Sequence, residues 1–154
     1  MGQAKPKPRA EPAADYETDF YLWSCEQAEL LRQRRFAEID LANIVEEIES
    51  LGRSDRRALI SAYRVLIQHL LKWQFQPEKR SKSWRVTIRA QREHIEMLER
   101  ESPSLAAQVD ELVGVAYPKA VNAAIDETGL GRERFPATTP YAVVQLRDED
   151  WLPD

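Results

Sequence analysis

HLLKWQFQPEKRSKSWRVTIRAQR, residues 69 to 92, reads as the end of one helix, a basic turn and the start of another. Pro77 has no backbone N–H and cannot continue a helix, so Phe75-Gln76-Pro77 is a break. Ser81 or Ser83 then caps a new helix at Trp84. Working back, Leu59, Ala62, Tyr63, Leu66, Ile67, Leu70, Leu71 and Trp73 cover more than half the helix circumference at ~100° per residue. Arg57, Ser61, Arg64, Gln68 and Lys72 form a narrow polar strip. An apolar arc that wide needs several packing neighbours, so this is expected to be the central helix of a bundle. Working forward, Trp84, Ile88, Gln91, Ile95 and Leu98 recur at helical spacing beside Arg85, Arg89 and Arg92.

The flanks follow the same period. Residues 1 to 15, rich in Pro, Ala and Lys, are predicted to be a disordered leader. A helix starts at Thr18-Asp19, carries Phe20, Trp23, Gln27, Leu30 and Leu31, and ends at the RQRRF run, Arg32 to Phe36. Asp40 caps a second helix with Leu41, Ile44, Val45, Ile48 and Leu51 on its core face; Gly52 is expected to end it and Ser54 to cap the central helix. After Ser102-Pro103 a further helix runs from Leu105 to Ile125, kinked at Pro118 and ended by Gly129. Thr139-Pro140 opens a short helix anchored by Phe135, Tyr141, Val144, Leu146 and Trp151, with Asp148, Glu149 and Asp150 as a solvated turn. The expectation is an all-α, single-domain helical bundle over residues 16 to 154, with four to five main helices plus a short C-terminal one.

Charge is distributed unevenly. Of 154 residues, 22 are Lys or Arg and 26 are Asp or Glu, a formal charge of -4. Between positions 72 and 92, however, Lys72, Lys79, Arg80, Lys82, Arg85, Arg89 and Arg92 face Glu78 alone. No apolar run approaches the ~20 residues of a membrane span, so no membrane partner is expected. Cys25 is single and no secretory signal precedes the first helix, which points to a cytoplasmic protein. Glu46, Glu47 and Glu49 would need Glu-x-x-His partners to hold a di-metal site, but Leu66 and Gln91 stand three residues before His69 and His94. No metal or other cofactor is therefore expected.

The text YETDFYLW, DLANIVEEIESLGRSDRRAL, HLLKWQFQPEKRSKSWRVTIRAQR and the closing DEDWLP resembles the DUF29 family of bacterial proteins over about nine-tenths of the chain. The resemblance implies an all-helical bundle and brings no established activity. It is most specific at HLLKWQFQP followed by RSKSWRVTI, and it implies that Trp73, Gln76, Pro77, Arg80, Ser83, Trp84 and Arg85 matter for folding or function.

The residues themselves favour a non-enzymatic binding module. Lys72, Lys79, Arg80, Lys82, Arg85, Arg89 and Arg92, flanked by Trp73 and Trp84, form a basic helix-turn-helix ridge suited to an acidic protein partner or to nucleic acid. A second copy using its own helix-two carboxylates satisfies the same ridge, so homo-oligomerisation is compatible with it. Two alternatives stand beside this reading. Arg64 and His69 share the Arg-x4-His spacing that resembles the motif of helical HEPN ribonucleases, which implies metal-independent RNA cleavage with His as acid or base. A purely structural or regulatory self-associating bundle needs no site.

Overall fold

The computed structural model describes residues 14–154, which form helices and turns with no strand among them. The predicted leader therefore lies outside the described residues except for its last two. The helices are α1 (Phe20–Arg32), α2 (Leu41–Phe75), α3 (Lys82–Glu101), α4 (Pro103–Ala106), α5 (Val109–Thr128) and α6 (Val143–Arg147). The all-α expectation holds, with four long helices and short ones beside them. The chain divides into two compact units, and the division falls within α2, between Leu51 and Gly52.

The first unit is a helix pair held by a polar hub. Asp19 caps α1 by accepting from the Leu22 N–H at 3.0 Å. The helix ends because Arg34 turns left-handed, φ 57°, so that its N–H reaches the Leu31 carbonyl and that of Arg35 reaches Leu30. This is a Schellman closure with arginine where glycine is usual. Asp40 then serves both helices: its carboxylate accepts from Trp23 Nε1 at 3.1 Å and from Asn43, while its N–H donates to Gln27 Oε1 at 2.7 Å. Gln27, which interrupts the apolar stripe of α1, is thus the partner of the residue that starts α2. Trp23 and Gln27 are the buried residues of this unit's α1, and Tyr16 packs edge-on against Trp23 with ring centres 4.8 Å apart.

Two expectations about α2 are corrected. Gly52 does not end a helix and Ser54 does not begin one, because α2 runs unbroken through both. A glycine stops a helix by turning left-handed, and here Gly129 is the glycine that does so, at φ 71° after α5. Inside a helix, glycine costs only ~1 kcal/mol relative to alanine, less than the bonds on either side supply. Nor do Leu41, Val45, Ile48 and Leu51 face a core: they are 61, 44, 64 and 67% exposed.

The second unit holds the hydrophobic core. Leu59, Tyr63, Leu66, Ile67, Leu70 and Leu71 of α2 are fully buried, as the wide apolar arc requires. They join Ile88 and Ile95 of α3, and Val109, Leu112, Val113, Ala116, Tyr117, Ala120, Val121 and Ala124 of α5. Phe135, Tyr141 and Leu146 close the core from the C-terminal segment, but Val144 is 74% exposed and anchors nothing. The expected fifth helix is divided. Pro103 opens the single turn α4, the pairing tightens at Gln108, whose N–H donates to the Leu105 carbonyl three residues back, and α5 then runs through Pro118 to Thr128, capped by Gly129.

Candidate binding groove

The basic turn is assembled as its residues dictate. α2 ends at Phe75, whose ring meets Phe135 edge-on at 5.4 Å, and Pro77 opens a 3-10 turn, Pro77–Lys79. Ser81 caps α3 by accepting from the Trp84 N–H at 3.3 Å. Arg80 folds back, donating from Nε to the Trp73 carbonyl at 2.9 Å with its guanidinium 5.1 Å above the Trp73 ring. The turn is therefore tied to the helix before it.

The polar strip of α2 is more deeply placed than its composition implies. Gln68 and Lys72 are each 5% exposed. Gln68 Nε2 donates to Glu127 Oε1 at 2.7 Å, and Lys72 Nζ donates to the other Glu127 oxygen while lying 4.5 Å above the Trp84 ring. Glu127 of α5 is thus the missing partner, too far along the chain for local spacing to reveal. Its pKa is held below the ordinary 4.5, chiefly by the hydrogen bond from Lys72. A depressed carboxylate pKa contributes stability above its ordinary value and loses it as pH falls through the folded value. The stability gap between the wild type and Glu127→Gln is accordingly expected to stay constant above about pH 5 and to close on further acidification. Because Glu127 is half exposed, that gap is about 1 kcal/mol or less, read from thermal unfolding across the acid range.

Arg64 and His69 find separate partners. Arg64 Nη1 donates to Gln68 Oε1 at 3.3 Å, and His69 Nδ1 lies 2.9 Å from the Val65 carbonyl. Burial lowers the His69 pKa, so the ring is neutral near pH 7.

Arg92, read from the sequence as part of the basic ridge, is instead 4% exposed. Its guanidinium donates to three backbone carbonyls of the C-terminal segment: Leu146 at 3.0 Å, Gln145 at 3.1 Å and Glu149 at 3.2 Å. This clamp brings the acidic end of the chain beside α3. Between them lies a groove of ≈ 890 Å³. Lys82, Arg85 and Arg89 line its helical wall with Val86, and Glu149 and Asp150 line the other side with Leu152. Val86 is 58% exposed, and Arg89 pairs with Glu93 at 3.5 Å on the open surface, a contact worth only a few tenths of a kcal/mol.

The nine expected binding residues thus separate. Lys82, Arg85 and Arg89 converge on the groove; Lys79 is exposed on the turn outside its lining. Lys72, Arg80, Trp73 and Trp84 engage one another or Glu127, and Arg92 is structural. Val86, Glu149, Asp150 and Leu152 were not foreseen as part of the surface. The signal was the closing DEDWLP, whose three carboxylates are opposite in sign to the basic ridge, but the sequence says nothing of proximity.

The family model described as a domain of unknown function, DUF29, matches residues 16–152, and the chain belongs to that family. No curated protein and no solved structure matches it.

Proposed function

We propose that this member of the DUF29 family is a non-enzymatic binding module whose groove between α3 and the C-terminal segment takes an amphipathic segment of an acidic protein partner, one that carries charges of both signs. The observation that carries this reading is the groove's two-sided charge. Lys82, Arg85 and Arg89 offer cations beside exposed Val86, while Glu93, Glu149 and Asp150 add carboxylates to the same lining. A protein segment can answer both signs and cover Val86 and Leu152 with apolar side chains. A nucleic acid presents phosphates to both, and the carboxylates oppose it. The aromatic residues also favour a protein partner, because Trp73 already carries Arg80 over its ring and Trp84 carries Lys72.

The test is fluorescence anisotropy with two labelled probes, a helical peptide with Leu on one face and both Glu and Lys on the adjoining face, and a single-stranded RNA, at low and physiological salt. The peptide is expected to bind, and Arg85→Glu with Arg89→Glu to weaken it by about tenfold or more. Binding of RNA but not peptide overturns the proposal in favour of a phosphate surface. Cleaved RNA on a denaturing gel would direct attention to Arg64 and His69 instead.

A further inference from the structure

We infer that Arg92 is a positioning residue for the groove: it seats the segment after α6 as a strap, and seating of the strap is coupled to occupancy of the groove. This deepens the protein-binding reading of the groove and stands only with it.

One residue joins the clamp to the wall. The Glu149 carbonyl accepts from Arg92 Nη1 at 3.2 Å, and Glu149 also lines the groove with Asp150 and Leu152. Residues 148 to 154 contain no helix, so no ladder of their own bonds fixes that wall. Among the described residues, Arg92 is the one residue of α3 that hydrogen-bonds to positions 148 to 152. Open space lies beside this contact twice over. Besides the groove, Arg92 and Glu149 border a second cavity of ≈ 110 Å³, lined also by Ile95, Leu146 and Arg147. Packing holds the strap on either side of Glu149: Leu146 is fully buried, and Trp151 meets Tyr141 edge-on with ring centres 5.6 Å apart. Between these anchors, Arg92 sets the place of Glu149 and Asp150.

The chemistry of Arg92 suits this role better than direct contact with a partner. It is almost excluded from water, and Nε, Nη1 and Nη2 each donate to a main-chain carbonyl. A segment bound in the groove touches α3 on one side and Glu149, Asp150 and Leu152 on the other. It meets that second wall only when the strap is seated. A ligand with extra contacts to one state favours that state, and the coupling is reciprocal: the factor that seating adds to affinity is the factor that occupancy adds to seating.

Hydrogen exchange of the full chain, with and without a saturating amount of the helical peptide carrying Leu, Glu and Lys, tests this. Exchange over residues 145 to 152 is expected to slow by about tenfold or more on binding. In Arg92→Ala and Arg92→Lys the same peptide is expected to bind at least about tenfold more weakly. The lysine variant separates positioning from charge, because it keeps a cation in the groove lining but lacks the planar fork that spans three carbonyls. Circular dichroism checks that both variants fold, and the exchange of the wild type decides the matter if either does not. Wild-type affinity in Arg92→Lys, or protection confined to residues 82 to 93, overturns the coupling and leaves the groove a binding surface. A wild type that does not bind the peptide overturns the binding reading, and the coupling with it.

Discussion

Arg92→Ala is expected to destabilise the protein by about 3 kcal/mol and to free its C-terminal segment. The guanidinium holds the carbonyls of Gln145, Leu146 and Glu149, 53 to 57 positions away in sequence. Removing it leaves those acceptors without their charged donor in a site from which Arg92 itself is almost excluded from water. Charge-assisted hydrogen bonds are worth more than neutral ones, and the loss at the buried Leu146 carbonyl adds a desolvation cost. Arg92→Lys is not expected to rescue the variant, since one ammonium lacks the planar fork that spans three acceptors. Chemical denaturation measures the stability loss, and hydrogen exchange over residues 143 to 154 reads the release. A loss below about 1 kcal/mol with unchanged exchange would show that Leu146 and the edge-on contact of Tyr141 with Trp151 hold the segment without the clamp.

Leu66→Ala is expected to cost 2–5 kcal/mol, roughly the range for a fully buried leucine that leaves a cavity behind. Its side chain lies at 0% exposure within the cluster formed by α2, α3 and α5, where neighbours on several sides limit collapse. Ile48→Ala, on the same helix, is expected to change the stability of the single chain by less than about 0.5 kcal/mol, because Ile48 is 64% exposed. The pair compares two apolar residues that pattern reading places equally in a core. Equal losses at both positions would mean that the first part of α2 is buried when the protein unfolds from its working state. Repeating the measurement over a range of protein concentrations separates burial within one chain from burial between copies.

The wide arc from Leu59 to Trp73 was legible because a helix that is apolar over most of its circumference has few alternatives to the centre of a bundle. Asp19, Ser81, Pro103 and Gly129 were legible for a similar reason: caps act within a turn or two of their own position, and each acts as its residue type dictates. The stripe at Leu41, Val45, Ile48 and Leu51 was misread. Periodicity reports that a face is apolar, and says nothing about whether the chain has a surface to lay against it. Gly52 misled in a related way, since glycine permits a left-handed turn without requiring one.

The candidate site divides along the same line. Lys82, Arg85 and Arg89 could be placed together from spacing alone, three and four residues apart at one end of a helix. Lys72 and Arg92 are chemically the same kind of residue and were grouped with them. Their separation depends on Glu127, 55 positions from Lys72, and on carbonyls more than fifty positions from Arg92. Local order of the chain thus determined the helices, their caps and the concentration of positive charge, because those depend on neighbours within about four residues. Which cations face water and which are consumed inside, and that the acidic end of the chain forms the far wall of the groove, were decided by tertiary structure. A buried charge must be answered by whatever group packing brings to it, and that group has no fixed place in the sequence.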